Sequence, residues 1–175
     1  MSLRGQLLIA SPSLFDPNFR RSVVLVAHHD EDGAVGLVLN RRSDTRAAQA
    51  VPPVADLVDS DATIWLGGPV EPESVLLVAE VEDPDEAFVL VFDCIGFVSV
   101  DEGGRPATRR LRVFAGFAGW GPAQLEGELE VGSWLQEPAQ ADDVFSDGDL
   151  FGEVLRRKGG SFRILAQMPL DPSLN

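Results

Sequence analysis

Three side chains near the start of the chain have the types found in a nucleophilic catalytic triad: Asp16, Ser22 and His29. In such a triad the histidine takes a proton from the serine, and the aspartate orients the imidazole ring. A straight strand between Ser22 and His29 would hold them roughly 23 Å apart, because each strand residue advances about 3.3 Å. A direct hydrogen bond between them is therefore not expected. Asp16, within Asp-Pro-Asn, is better explained as the acceptor of an Asx turn.

The two histidines of the chain are neighbours, His28 and His29. Adjacent strand residues point to opposite faces, so the two imidazoles are not expected to bind one metal ion. Cys94 is the single cysteine, which excludes a disulfide within the chain and a cysteine-based zinc site. We therefore predict no metal and no cofactor. His29 is interpreted as a histidine near a turn that is hydrogen-bonded to backbone rather than as a catalytic group.

The chain carries 28 acidic and 14 basic side chains, a formal net charge of −14. The negative electrostatic field of such a protein repels nucleic-acid phosphates and argues against direct nucleic-acid binding. Such binding would require one of two groups of arginines to gather on a single face: Arg20, Arg21, Arg41, Arg42 and Arg46, or Arg109, Arg110 and Arg112. Arg20 and Arg21 could instead clamp an acidic ligand or pair with the surplus acids, and the sequence leaves both interpretations open.

Length and hydropathy predict one domain over residues 1–175, large enough to bury a core. The 45% of hydrophobic residues occur in short runs, none of which approaches the roughly 18 residues that a membrane span needs. The N-terminal segment lacks the pattern of a signal peptide. We therefore expect a cytoplasmic protein without a membrane partner.

The elements that must position these side chains are mainly strands. The strongest local signal is a β-hairpin from Ser22 to Asn40, in which SVVLVAHH and AVGLVLNR flank the turn DEDG. Both arms are almost continuously apolar, which predicts burial on both faces inside a sheet. Further strands are predicted in QLLIA, IWL, VLLVAEV, AFVLVF, IGFVSV and LRVFAGF. A last strand is predicted in the tail RILAQMPLDPSLN.

Helical periodicity is limited to residues 122–130 and residues 148–158, with a short helix possible around Val54 to Val58. Segments of strand precede segments of helix without the regular alternation of a doubly wound sheet. This pattern predicts an α+β protein with a mixed, mostly antiparallel sheet.

The segment FAGFAGWGPAQLEGEL, from Phe114 to Leu129, predicts a strand, a glycine-rich turn and a helix with Pro122 at its first position. A nucleophile elbow has a serine between its glycines, and here Trp120 stands there. A phosphate-binding loop would require a lysine that is absent. We therefore favour a packing role for this turn over an anion site.

The motifs LLIASPSLFDPNFRRSVVLVAHHDEDGAVGLVLNR, WLGGPV and FAGFAGWGPAQLEGEL together resemble the YqgE/AlgH family of bacterial proteins across most of the chain. The resemblance implies a compact α+β domain with a strongly bent, partly barrel-like mixed sheet flanked by helices. It implies no established reaction, although one branch is labelled a transcriptional regulator. The chain departs from the family pattern at Ser11, at His28, in VLLVAEV, which lacks a histidine, and in the shortened segment DEGGRPATRR.

We expect three turns to converge on a cleft beside Trp120: the Asp-Pro loop at Asp16 and Pro17, the Gly-Gly-Pro corner at residues 67–69, and the Gly-Trp turn at residues 119–121. The candidate binding residues are Asp16, Arg21, Ser22, His29, Asn40, Gly67, Gly68 and Trp120. The favoured function is a binding or regulatory module that receives a protein segment or a small ligand and regulates transcription indirectly. The alternative is a hydrolase or transferase that acts at a cleft near Asp16, Arg21, His29 and Trp120.

Overall fold

The computed structural model describes residues 1–101 and 104–168. Within this part of the chain the strands are β1 Gln6–Ala10, β2 Val23–Asp30, β3 Gly33–Val38, β4 Arg42–Arg46, β5 Thr63–Leu66, β6 Val70–Val81, β7 Val89–Phe92, β8 Ile95–Val98, β9 Thr108–Trp120 and β10 Trp134–Pro138. The helices are α1 Ala47–Ala50, α2 Gln124–Glu130, α3 Ala141–Val144, α4 Leu150–Lys158 and α5 Phe162–Gln167. Short 3-10 turns lie at Pro52–Val54 and Pro84–Glu86.

The ten described strands form one sheet whose main path runs β10-β1-β2-β3-β9-β6-β8-β7. All pairs on this path are antiparallel, whereas β5 adds to β9 in parallel and carries β4 on its other edge. The long strand β9 therefore joins the hairpin half of the sheet to the half built on β6. The predicted α+β class with a mixed, mostly antiparallel sheet is confirmed, and the sheet stays open.

The predicted hairpin is confirmed as β2 and β3, with a bulge between Val26 and His28. Its strands lie between β1 and β9, and the residues from Val23 to Ala27 are almost inaccessible to solvent. A strand with neighbours on both edges and packing on both faces must be apolar throughout, which explains the sequence pattern.

Helix α4 confirms the helix predicted from the periodicity of residues 148–158. Its Leu150, Phe151, Val154 and Leu155 pack into the same core as β1, β2 and β3. The Asp149 carboxylate accepts a hydrogen bond from the backbone N–H of Gly152 at 3.0 Å and so caps the first turn. This packing brings the N-terminal end of α4 beside the loop that precedes β2.

Several predicted elements are corrected. The tail was predicted as a strand, but residues 162–167 form the helix α5, and residues 169–175 lie outside the described part. Residues 54–58 do not form a helix, since the 3-10 turn ends at Val54. The sequence did not predict the strands β4 and β10 because RSDTR and WLQEP are polar. Each of them pairs with only one of the described strands, and polar residues are common on such edge strands.

The Gly-Trp turn differs from its predicted form in one respect. Pro122 is not in the helix, because Ala123 adopts a left-handed conformation at φ 59° and α2 begins at Gln124. The backbone freedom of this segment is used at Gly116, with φ 72°, where a Cβ atom would lie 2.5 Å from the Gly68 carbonyl oxygen. Close backbone approach between β9 and the corner after β5 therefore requires glycine at this position.

No helix among residues 1–101 and 104–168 is both long and apolar enough to cross a membrane.

Candidate functional site

The Asp-Pro loop is held by its own hydrogen bonds. The Asp16 carboxylate accepts from the Asn18 N–H at 2.8 Å, which confirms the predicted Asx turn. The Asp16 carbonyl accepts from the N–H groups of Phe19 and Arg20. The Ser22 hydroxyl, fully buried, donates to the Phe19 carbonyl at 2.6 Å. The polar side chains of Asp16 and Ser22 are thus used to shape the loop.

Asn40, at the end of the hairpin, fixes the exit of this loop. Its amide nitrogen donates to the Arg21 carbonyl at 2.9 Å, and its amide oxygen accepts from the Val23 N–H at 2.9 Å. Between these contacts Arg21 adopts φ 54°, in the left-handed region. A non-glycine residue in this region costs on the order of 1 kcal/mol, and such strain is concentrated at functional sites. Asn40 therefore holds Arg21 in an orientation that the backbone alone disfavours.

The Arg21 guanidinium is held by uncharged groups. It lies 4.5 Å from the centre of the Phe151 ring and donates to the Met168 carbonyl at 3.0 Å. Close by, Arg41 donates to the Arg20 carbonyl at 2.8 Å. Within the described residues, neither Arg21 nor Arg41 forms an ion pair, although acidic side chains outnumber basic ones two to one. Both cations are therefore positioned where a ligand can provide the negative charge.

Arg20, Arg21 and Phe151 line two adjacent cavities of about 310 and 360 Å³, which together we call the arginine hollow. The first cavity has an apolar wall to which the Asp-Pro loop, α4 and the end of α5 contribute: Ala10, Pro12, Leu14, Phe15, Phe151, Leu165 and Met168. The second is lined by Asn40, Arg41 and the start of α4. The hollow thus joins an apolar wall to a basic rim.

One carboxylate, that of Asp149, also lines the second cavity of the hollow. It caps α4 through the Gly152 N–H and lies 3.6 Å from Arg156. The Asp149 carboxylate therefore interacts mainly with its own helix. The net charge of the side chains at the rim stays positive.

Trp120 lies in the core rather than at a cleft. Its side chain is 6% exposed, stacks on Phe19 at 6.1 Å and meets Trp134 edge-on at 6.0 Å. The Glu128 carboxylate accepts from the indole N–H groups of Trp120 and Trp134, at 2.9 and 2.8 Å. The space expected beside the indole is therefore filled by Phe19, which the Asp-Pro loop contributes.

Gly67 and Gly68 occupy a corner where two backbones touch. The Gly67 N–H donates to the Ala115 carbonyl at 2.8 Å, and the Gly67 carbonyl accepts from Val38 at 2.8 Å. Gly68 and Pro69 line a small cavity of about 190 Å³ together with the Asp-Pro loop and Arg41. This corner and the Asp-Pro loop therefore approach each other and line one cavity with Arg41.

His29 lies at the other end of β2 from Ser22. Its Nε2 donates to the Glu126 carboxylate at 2.8 Å, and its Nδ1 accepts from the Leu3 N–H at 3.0 Å. Its hydrogen bond to backbone agrees with the interpretation from the sequence. With both ring nitrogens engaged, His29 ties α2 and the N-terminal segment to the hairpin.

The pairing with His29 has a consequence for pH. The pKa of Glu126 is lowered by a hydrogen bond from its own backbone N–H and then by the bond from His29. A carboxyl whose pKa is lowered on folding stabilises the fold above its unfolded pKa, and this contribution is lost as the pH falls through the folded value. We expect the free energy of unfolding to fall as the pH falls below the ordinary pKa of a glutamate, and to fall less steeply in Glu126→Gln.

Urea titrations at each pH measure this difference. Glu130→Gln, on the exposed end of the same helix, removes an equal charge without a histidine partner and should retain the wild-type profile. Parallel profiles for Glu126→Gln and the wild type would contradict the prediction.

The eight predicted residues therefore fall into three groups. Asp16, Arg21, Ser22 and Asn40 meet at the entry to β2, with Gly67 and Gly68 beside them. His29 and Trp120 belong to other contacts. Ser22 and His29 are not arranged as nucleophile and base, because the Ser22 hydroxyl is buried in its own turn.

The sequence did not identify Phe151, Leu165 and Met168 as wall residues. It indicated Arg20, with Arg21, as a possible clamp for an acidic ligand, and Arg41 only as a member of a basic cluster. The sequence pattern that could have indicated the basic rim is the pair of adjacent arginines on each side of the hairpin, Arg20-Arg21 and Arg41-Arg42, in a chain rich in acidic residues. Among the described residues, no three histidine, cysteine or acidic side chains are grouped to hold a metal ion.

Comparisons with known proteins agree with one another. A family model described as AlgH-like matches residues 7–163. A UPF0301 protein of Streptomyces coelicolor is 43% identical over 185 aligned residues, which cover 99% of this chain and 96% of the relative. A crystal structure of a Corynebacterium diphtheriae protein has a TM-score of 0.84 at 30% identity, and covers 94% of this chain and 91% of that one. The solution structure of AlgH from Pseudomonas aeruginosa has a TM-score of 0.71 at 26% identity, with 97% and 95% covered.

Proposed function

The chain belongs to the AlgH-like family, and on that premise we propose that it is a cytoplasmic binding or regulatory module whose arginine hollow receives an amphipathic anion. The observation that carries the proposal is the placement of Arg21. Its guanidinium stands at the boundary between the apolar wall and the basic rim, held by a ring and a carbonyl instead of a carboxylate.

The two parts of the hollow suit the two parts of such a ligand. Apolar walls bind a hydrocarbon or aromatic body because burial of apolar surface contributes roughly 25 cal/mol per Å². A guanidinium binds a carboxylate or phosphate through paired, charge-assisted hydrogen bonds. A small molecule with one anionic head and one apolar body satisfies both regions at once.

A regulatory role would follow from what the hollow connects. Arg21 links the Asp-Pro loop to α4 through Phe151 and to the end of α5 through Met168. A ligand that competes for Arg21 would therefore alter how these elements pack, and a partner protein could read the difference. Because the protein has a net charge of −14, this change in packing would affect transcription indirectly rather than through contact of the protein with DNA.

Binding of decanoate tests the proposal. We expect saturable binding by isothermal titration calorimetry, with decanol and acetate each binding far more weakly. Arg21→Gln should weaken decanoate binding at least about tenfold, since a hydrogen bond between charged groups contributes about 1.5–3 kcal/mol. Arg21→Lys should restore part of the loss.

The matched control is Arg4→Gln, which removes an exposed arginine beyond the opposite end of β1 and should bind decanoate as the wild type does. Equal affinities of Arg21→Gln and wild type would contradict the proposed site. Equal binding of decyltrimethylammonium and decanoate would contradict the proposed charge selection.

A further inference from the structure

A separate cavity, of about 570 Å³, lies between residues 55–62 and the first half of β9. We call it the β9 cleft. It contains none of the residues that line the arginine hollow. Its volume lies within the range of small-molecule sites, roughly 300–1,000 Å³.

One edge of β9 is open at this cleft. Along residues 108–117 the strand pairs with β6 on one edge. On the other edge, the described pairing with β5 begins only at Phe114, where Trp65 lies opposite. Before Phe114 the described strands leave this edge without a partner. A strand edge presents backbone N–H and C=O groups that can pair with an extended peptide.

The cleft has a basic wall, to which β4 contributes Arg42 and β9 contributes Arg112. Arg42 donates from Nε to the Thr63 hydroxyl at 2.9 Å, lies 6.0 Å from the Trp65 ring centre and forms no ion pair among the described residues. The Arg112 guanidinium lies 4.1 Å from the same ring centre. Burial lowers the pKa of Arg112, and the Asp147 carboxylate, which pairs with it, opposes this effect. The nearby charges of Arg42 and Arg110 act in the same direction as burial. An anionic group placed at Arg42 would relieve this repulsion.

The wall contributed by residues 55–62 carries the opposite charge. Asp59 and Asp61 line the cleft, and neither side chain forms an ion pair or hydrogen bond within the described part of the chain. Arg42 contacts Thr63 and Trp65 and forms no ion pair with these two carboxylates in the described structure. The cleft therefore keeps free charges of both signs apart in one cavity.

We propose that the β9 cleft binds a short peptide with free termini, of two or three residues. Its C-terminal carboxylate pairs with Arg42, and its N-terminal ammonium group pairs with Asp59 and Asp61. Its backbone lies along the open edge of β9. A ligand must carry a negative and a positive group, and must form peptide hydrogen bonds, to interact with Arg42, with the two aspartates and with the open edge of β9. The site is independent of the arginine hollow.

The test uses trialanine and its blocked forms with the wild-type protein, by calorimetry. We expect trialanine to bind at least tenfold more tightly than N-acetyl-trialanine and than trialanine amide. Decanoate at saturation should not displace it. Equal binding of the free and blocked peptides would overturn the proposal. So would a failure of trialanine to bind folded protein, or stronger binding of inorganic phosphate that displaces the peptide.

Variants assign the two ends of the peptide. Arg42→Gln should weaken trialanine at least tenfold while leaving trialanine amide unchanged, because the amide has no carboxylate to lose. The double variant Asp59→Asn, Asp61→Asn should weaken trialanine and leave N-acetyl-trialanine unchanged. Arg163→Gln, on the exposed face of α5, is the matched control. If these variants weaken free and blocked peptides equally, the assigned orientation is overturned, and the wild-type comparison stands even if a variant fails to fold.

Discussion

Replacing Glu128 by alanine is expected to lower the free energy of unfolding by about 3 kcal/mol. A single carboxylate oxygen accepts from two buried indoles, at 2.9 Å from Trp120 Nε1 and 2.8 Å from Trp134 Nε1. Removal of the carboxylate leaves two donors that are 6% and 4% exposed without an acceptor. Each unsatisfied buried donor costs about 1–3 kcal/mol.

Urea unfolding, followed by tryptophan fluorescence, measures this loss. Glu130→Ala is the matched control because it removes an exposed carboxylate from the same helix, and its effect should stay below about 0.5 kcal/mol. Glu128→Gln keeps an acceptor oxygen and should fall between the two. If Glu128→Ala were as stable as Glu130→Ala, the indoles would have found other acceptors and the argument would fail.

Arg112→Met is expected to lower the free energy of unfolding by a similar amount, about 3 kcal/mol. The guanidinium donates to the carbonyls of Val144, Phe145 and Ser146 and to the Asp147 carboxylate, at 2.7–3.1 Å. It thereby ties the segment between α3 and α4 to β9. Methionine keeps much of the apolar contact with Trp65 but donates no hydrogen bond. Asp147, which is largely exposed, returns to water at little cost, so the loss comes from the carbonyls.

Urea unfolding measures the loss in the free energy of unfolding, and hydrogen exchange shows which elements lose protection. Amides at the start of α4 should lose protection more than those of the β2–β3 hairpin, since α4 follows the released segment directly. Arg109→Met, an exposed arginine on the other face of the strand, is the control and should change stability little. If Arg112→Met were as stable as Arg109→Met and hydrogen exchange in α4 were unchanged, the segment between α3 and α4 would be held by packing alone.

The sequence by itself determined the elements whose signal is local. The hairpin of β2 and β3 and the helix α4 were predicted because alternation, apolar runs and turn residues act over a few neighbours. Strand geometry alone separated Ser22 from His29, and the structure gives each of them another partner. The charge of −14 was likewise readable before any fold. The polar strands β4 and β10 and the helical tail were not, because their conformations depend on the neighbours they pack against.

Only the tertiary structure decided how the arginines are divided and what surrounds them. Arg41 and Arg42 are adjacent in sequence, yet one lines the arginine hollow and the other the β9 cleft. Arg21 meets Phe151, and Phe19 covers Trp120, through contacts between residues far apart in the chain. Side-chain types and their spacing determine which local elements form. Which charge remains unpaired, and which indole is buried, depends on long-range packing that no local pattern specifies.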